Sequence, residues 1–315
     1  MKLRGFLASG GKGFAIPMLV LVLTVGPACA SLAGDSVDRN ESQPTVEADA
    51  GSLTMILATK DLRVGTQRVS FLLATPSALV KAPTASVTSR RLDGAGEVIE
   101  TKIAGFHLWP YGIRGAYSTE LSFDRPGTWQ LEFSVEDGDF AGSGRLEVNI
   151  AEKSLLPDVG SVPPLSRTKT LSNVGDVQLL TTDFTPDQDL YQVSIADAAQ
   201  SNHPAVIVFA TPAFCTSPTC GPQVDTVSEL KDAHQGEASF IHVEIYDNPE
   251  EIQGDLSRAR FTEAVEEWKL DQLPDWFNES WTFVLNSEGR IHQRFEGFVT
   301  LEELEESLQQ VLSEG

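Results

Sequence analysis

The hydrophobic pattern changes character partway along the chain. From residue 52 to residue 150 apolar and polar positions alternate: Val69, Phe71 and Leu73; Tyr117, Thr119, Leu121 and Phe123; Trp129, Leu131, Phe133 and Val135; Leu146, Val148 and Ile150. A period of two marks strands with one buried face. Turn signals separate them at Asp93-Gly94, Arg125-Pro126-Gly127 and Asp137-Gly138. No long helical pattern interrupts the run. The stretch predicts an all-β first domain over residues 51–150, an antiparallel sandwich.

The second half reads differently. Ala205 to Ala210 (AVIVFA) is a continuous apolar run, strand material for a buried sheet. Val224, Val227 and Leu230 then recur at helical spacing. Phe240 to Tyr246 predicts another buried strand, and Phe261 to Leu270 a helix with Phe261, Val265 and Trp268 on one face. Trp281 to Leu285 and Arg290 to Phe295 predict two strands joined by the turn Asn286-Ser287-Glu288-Gly289. A capping box at Thr300 and Glu303 opens a last helix whose apolar side carries Leu301, Leu304, Leu308 and Val311. Upstream, Ser194 and Asp197 sit at capping spacing before a short helix, and Val177 to Leu180 and Leu190 to Val193 have the composition of short strands. The order from residue 205 is β-α-β-α-β-β-α, an α/β domain over residues 175–315. Between the two domains, residues 151–174 are rich in Pro, Ser and Gly and read as a linker.

The first 50 residues belong to neither domain. Lys2, Arg4 and Lys12 precede an apolar run of 12 residues from Phe14 to Val25, followed by Gly26, Ala28, Cys29 and Ala30. A membrane span needs ~20 apolar residues, so residues 1–30 predict an export signal. Two cuts fit it: after Ala30, where Ala28-Cys29-Ala30 has small-x-small form, or before Cys29, which would become a lipidated first residue. Residues 31–50 (SLAGDSVDRNESQPTVEADA) lack the apolar surface for a core and read as a tether. The net charge is −22, and the three cations of the signal leave −25 for the rest. Such a chain is repelled by nucleic acid and by anionic lipid headgroups.

The chain holds 3 cysteines. Cys215 and Cys220 make a natural pair, and lipidation would use the odd Cys29. An exported protein works where disulfides persist. The pair lies where the apolar run at 205–210 gives way to a helix, in the sequence FATPAFCTSPTCGP. A cysteine near a helix N-terminus is biased toward thiolate, the reactive form, and a second cysteine a few residues on can close a disulfide with it. The sequence holds no phosphate-cradling glycine loop, no zinc-spaced Cys/His cluster and no Ser/His/Asp pattern, so neither a cofactor nor a metal is expected. His107 and Met55 stand alone in the first domain and read as core or surface residues.

The FATPAFC lead-in, the WTFVLNSEGRI hairpin and the element order resemble the thioredoxin superfamily, in particular its exported TlpA-like members, over residues 175–313. That resemblance implies a thioredoxin-like fold, with Cys215 as the attacking and Cys220 as the resolving cysteine. It also brings Trp276 and Trp281 near the cysteine loop, where they and Phe214 would form an apolar lip for a substrate polypeptide. This chain departs from the family in its C-x4-C spacing, and in Ser280-Trp281-Thr282, which stands where the family places a cis-proline. The stretch AYSTELSFDRPGTWQLEFSV resembles the end of small exported sandwich domains of the YtkA-like kind, implying an immunoglobulin-like first domain. Two functions follow as expectations. One is a cell-envelope thiol–disulfide oxidoreductase, anchored through Cys29 and acting on protein thiols or disulfides. The other is a non-catalytic binding or scaffolding lipoprotein in which Cys215–Cys220 is structural.

Overall fold

The alternating stretch forms seven strands, β1 (Thr54–Leu57), β2 (Gly65–Ala74), β3 (Thr84–Arg91), β4 (Val98–Leu108), β5 (Gly115–Phe123), β6 (Gly127–Asp137) and β7 (Phe140–Ile150), of which β3 and β6 alternate in burial most clearly. The computed structural model describes residues 51–93, 97–110, 114–276 and 278–314. The export signal, the tether and Cys29 lie outside the described residues, as does Gly94 of the Asp93-Gly94 turn. Val69, Phe71, Leu73, Tyr117, Leu121, Phe123, Trp129, Leu131 and Phe133 fill one core. Its aromatic pairs include Phe123 edge-on to Trp129, with ring centres 5.0 Å apart.

The strands expected from 52–150 are present, but they do not form two separate sheets. They make one antiparallel sheet in the order β1-β2-β5-β4-β3-β6-β7. It curls until its edges meet: Leu53 N–H donates to Ser143 O at 2.9 Å and Ser143 N–H to Gly51 O at 3.0 Å. Small residues permit this approach. A Cβ on Gly144 would sit 2.3 Å from Leu53 O, so a side chain there would hold the edges apart. Joining the edges satisfies backbone groups that an open sheet leaves unpaired.

The segment after β7 is anchored along much of its length. Gly160 N–H donates to Ile291 O at 2.7 Å and Ile291 N–H to Ser161 O at 3.0 Å. Leu156 is buried in the second core. The two short strands expected at 177–180 and 190–193 are instead 3-10 turns, Val177–Leu179 and Gln188–Tyr191. Asp176 and Asp187 accept from the backbone N–H two residues on, which winds each segment into a turn before any strand can pair with it. The short helices here are α1 (Leu171–Val174) and α2 (Ile195–Ala199). Ser194 caps α2 as its spacing implied, accepting from Asp197 N–H at 3.1 Å.

The second sheet holds β8 (Ala205–Ala210), β9 (Ser239–Glu244), β10 (Trp281–Leu285) and β11 (Ile291–Glu296), in the order β11-β10-β8-β9. β8 and β9 are parallel, and the other pairs are antiparallel. The helices of this half are α3 (Cys220–Ala233), α4 (Pro249–Ile252), α5 (Glu263–Glu267) and α6 (Leu301–Glu314). Every residue of β8 is buried, because each face of the sheet is covered. Ile207 and Phe209 pack with Trp268 and Phe283 on one side, Val206 and Val208 with α3 and α6 on the other. α5 is shorter than its sequence suggested. Lys269 takes a left-handed φ of 61° and breaks the helix before Leu270, while Phe261 stays outside it, stacked on Tyr246 with ring centres 5.8 Å apart. Residues of both sheets belong to one compact unit, and ion pairs join the two halves, Arg68 of β2 to Glu303 of α6 and Asp61 of the β1–β2 loop to Arg294 of β11.

Candidate redox site

The buried strand β8 delivers the chain to Thr211, whose carbonyl accepts from Phe214 N–H at 3.1 Å and Cys215 N–H at 3.0 Å. This turn aims Cys215 back toward the start of α3. Cys215 and Cys220 are joined as a disulfide with their Cα atoms 6.0 Å apart, within the usual reach of such a bond. The two sulfurs are not equivalent. Cys215 is half-buried in a loop, whereas Cys220 is fully buried and packed into the core beneath α3.

Their electrostatic settings also differ. Cys220 is itself the first residue of the 14-residue helix α3, so the positive end of that helix acts on Cys220. The sequence pattern placed this effect on Cys215, which lies five residues before the helix begins. The helix end favours a thiolate at Cys220 while its apolar burial opposes one, and Cys215 is the less buried of the two residues.

The loop before β10 closes over the pair. The Asn278 carbonyl oxygen lies 3.5 Å from Cys215 Sγ and 3.4 Å from Cys220 Sγ. Asn278 holds a left-handed φ of 60°, and its side-chain amide donates to Tyr246 Oη at 2.5 Å. Next to it, a Glu279 carboxylate oxygen lies 4.0 Å from Cys215 Sγ and accepts from Ser217 Oγ at 2.5 Å. Burial raises the Glu279 carboxyl above the ordinary range, against the hydrogen bond from Ser217. Neither Asn278 nor Glu279 carries a sequence signal of this role. They meet the cysteines only because β10 lies beside β8.

Of the expected lip residues, two reach the neighbourhood of the pair. Phe214 is half-buried, edge-on to Tyr246 with ring centres 6.2 Å apart. Trp276 is half-buried, and its indole N–H donates to Glu279 O at 2.9 Å. Trp281 does not form a lip. It is 2% exposed, stacked on Phe283 at 5.8 Å, with the Arg294 guanidinium 5.6 Å over its ring. Its side chain lies on the core face of β10, where a visiting chain has no access. The peptide bonds at Ser280-Trp281-Thr282 are trans.

A second buried polar group borders the same turn. Glu244, at the end of β9, accepts from Thr182 N–H at 2.8 Å and Thr182 Oγ at 2.7 Å. Thr182 Oγ in turn accepts from Ala213 N–H at 3.1 Å. This ties the loop carrying Phe184, which is 89% exposed, to the cysteine turn. On the same strand, His242 is hydrogen-bonded to Tyr191 at 2.7 Å, and burial pushes its imidazole down to about 4, so it stays neutral. Among the described residues no group of His, Cys, Asp and Glu side chains is placed to hold a metal ion, and no helix is long and apolar enough to cross a membrane.

Neither a protein-family model nor a curated protein matches the chain. Among solved structures, the chain is similar to a thiol:disulfide interchange protein of the thioredoxin family from Chlorobium tepidum. Identity there is 10%, with a TM-score of 0.29, covering 42% of this chain and 95% of that one. It is also similar to the PKD domain of the human VPS10 domain-containing receptor SorCS2, at 16% identity and a TM-score of 0.20, covering 41% of this chain and 98% of that one.

Proposed function

We propose that this chain is an exported thiol–disulfide exchange protein of the cell envelope, acting on protein thiols or disulfides through Cys215 and Cys220. The observation that carries the reading is the asymmetry of the pair: a partly buried loop cysteine bonded to a fully buried one that opens a helix. The succession β8-α3-β9-α5-β10-β11-α6 and the order β11-β10-β8-β9 support a thioredoxin-like fold for residues 175–315. The curled all-β half supports an immunoglobulin-like domain over residues 51–150. The basic, then apolar, then small-residue N-terminus supports export, with lipidation at Cys29 as the anchor.

The exchange balances without any other reagent. A substrate thiolate attacks Cys215 Sγ, the Cys215–Cys220 bond breaks, and Cys220 leaves as a thiolate. A second substrate thiolate then attacks the substrate sulfur of the mixed disulfide and releases Cys215. The substrate dithiol is oxidised to a disulfide and the pair is reduced to two thiols. The reverse sequence reduces a substrate disulfide.

One observation favours the alternative, a binding or scaffolding lipoprotein with a structural disulfide: the Asn278 carbonyl lies against both sulfurs and covers part of the bond. Two measurements separate the readings. The reduction potential of the pair should lie above about −300 mV, the region below which structural disulfides resist reduction. Reduced Cys220→Ser protein should trap substrate polypeptides as mixed disulfides on Cys215, and the Cys215→Ser protein should trap none. A potential below that value, with neither trapping nor insulin turnover by the wild type, would show a structural bond.

A further inference from the structure

The acid beside the attacking sulfur has a use that the exchange of sulfurs alone does not require. We propose that Glu279 is the proton partner of Cys215: its carboxylate takes the Cys215 thiol proton as the thiolate forms, and returns a proton to the sulfur that leaves. The assignment rests on the exchange reading above.

The geometry is specific. A Glu279 oxygen lies 4.0 Å from Cys215 Sγ, on the side of the sulfur that the loop before β10 covers. The carboxylate is held there from several elements. Ser217 Oγ donates to it at 2.5 Å and is itself hydrogen-bonded to Thr219 at 2.5 Å, so the cysteine loop carries its own fastening to the acid. Trp276 donates to the Glu279 backbone carbonyl at 2.9 Å. From the first sheet's side comes Lys60, whose ammonium reaches Asp275 O in the same loop at 2.6 Å and whose charge favours the Glu279 carboxylate. Lys60 N–H also caps the buried carboxylate of Glu296 at 2.8 Å. The titratable and charged groups facing Glu279 are therefore Cys215 and Lys60, with Tyr246 one hydrogen bond away through Asn278. Lys60 is a positioning residue. It acts on the sulfur only through Glu279, and it makes the β half part of the redox centre.

The step balances. In the reduced protein the Cys215 thiol gives its proton to the Glu279 carboxylate, and the thiolate attacks a substrate disulfide. One substrate sulfur departs as a thiolate and takes up the proton from Glu279. Cys220 then loses its proton to solvent, attacks Cys215 Sγ and closes the disulfide as the second substrate sulfur leaves and is protonated. One disulfide is reduced and one dithiol is oxidised, with no proton or electron unassigned.

A nearby carboxylate disfavours a thiolate electrostatically and yet accepts its proton, so removing it should move two rates in opposite directions. In Glu279→Gln, alkylation of reduced Cys215 by iodoacetamide at pH 7 should speed up about threefold or more, because the competing negative charge is gone. Its pH profile should simplify from two steps to one, since coupled groups titrate as a pair. Turnover of a substrate disulfide should fall about tenfold in the same variant. Lys60→Met should shift the lower step of the alkylation profile upward and leave the number of steps at two.

The wild type provides a measurement that does not depend on a folded variant. The 13C-detected titration midpoint of the Glu279 carboxyl should differ between oxidised and reduced protein by at least about half a pH unit. Equal midpoints in the two states, or an unchanged alkylation profile in Glu279→Gln, would overturn the assignment while leaving exchange by the wild type intact. A coupled profile in a wild type that exchanges with no disulfide would instead uphold the pairing of Glu279 with Cys215 and remove the exchange function.

Discussion

Arg294 and Asp61 are ion-paired at 2.5 Å, with side chains 4% and 9% exposed, although 233 residues separate them in the chain. Asp61 lies between β1 and β2, and Arg294 is on β11. The guanidinium also donates to Ser154 Oγ at 3.0 Å, and Asp61 accepts from the same hydroxyl at 2.6 Å. Breaking a buried pair costs more than the intact pair contributes, although Asp158, 3.7 Å from the same guanidinium, still balances part of the Arg294 charge. Asp61→Ala should therefore lower the stability by about 3 kcal/mol in urea unfolding. The double variant Asp61→Ala, Arg294→Met should recover most of that loss. A single variant as stable as wild type would mean that Asp158 takes over the guanidinium.

Two buried acids at other places set the response to pH. Burial raises the carboxyls of Glu244 and Glu296 to about 7, well above the ordinary 4.5. In the window between those values the folded state holds more protons than the unfolded chain, so stability falls as pH rises from 4.5 through 7. Glu303 behaves oppositely. Burial opposes its ionisation, but the charge of Arg68 at 2.6 Å and its hydrogen bonds hold it down to about 2. Its contribution is present above 4.5 and is lost as pH falls toward 2. Buried His242, held down to about 4, acts against the two acids, because below 6.5 the unfolded chain takes up a proton that the folded imidazole refuses. Two acids outweigh one imidazole, so stability should still fall toward pH 8, by on the order of 3 kcal/mol in all. Urea midpoints at pH 4.5, 6 and 8 read this directly, and Glu244→Gln and Glu296→Gln should each flatten the slope. The same slope in both variants would place its origin in the overall negative charge.

These relationships mark where reading the chain alone succeeds and where it stops. Local pattern suffices for β8, because six consecutive apolar residues ending at Thr211-Pro212 leave few options besides a buried strand. It suffices for the cap of α6, where Thr300 and Glu303 exchange the hydrogen bonds their spacing implies. The Cys215–Cys220 bond was legible as a pairing, because the two lie within reach of one another at one chain corner. Contacts across the fold were not legible. Glu303 reads in sequence only as the capping acid of α6, yet it is also ion-paired with Arg68 of β2. Trp281 reads as a lip, yet strand alternation turns it into the core with Phe283. Glu279 meets Cys215 through strand adjacency, which no spacing along the chain encodes.

The glycines on either side of β11 separate two sources of glycine strain. Gly289 and Gly297 have similar left-handed φ values of 70° and 71°. A Cβ on Gly289 would sit 2.1 Å from Ala199 O on α2, whereas a Cβ on Gly297 would meet nothing within 4 Å. Gly297→Ala should therefore cost about 1 kcal/mol, the backbone term alone. Gly289→Ala adds a collision with a backbone atom that cannot rotate away, and should cost at least about twice as much. Thermal or urea unfolding of both variants makes the comparison, and equal losses would show that α2 yields easily.

Phe184 is 89% exposed on a loop that is bound to the cysteine turn through Thr182. The loop is not loose at that point: Asp183 N–H donates to Thr181 Oγ at 3.0 Å and Thr185 N–H to Asp183 at 2.9 Å. If the pair exchanges with polypeptides as proposed, a displayed phenyl ring on a loop tied to the cysteine turn offers them an apolar contact that a small dithiol does not need. Phe184→Ser should raise the KM for an unfolded polypeptide disulfide about threefold to tenfold. It should leave the rate of reduction by dithiothreitol, and the fold as seen by circular dichroism, unchanged. Equal effects on both reactions would mean that the substitution perturbs the cysteine pair itself. No effect on either would take Phe184 out of the substrate path and leave Phe214 and Trp276 as the aromatic contacts beside the sulfur.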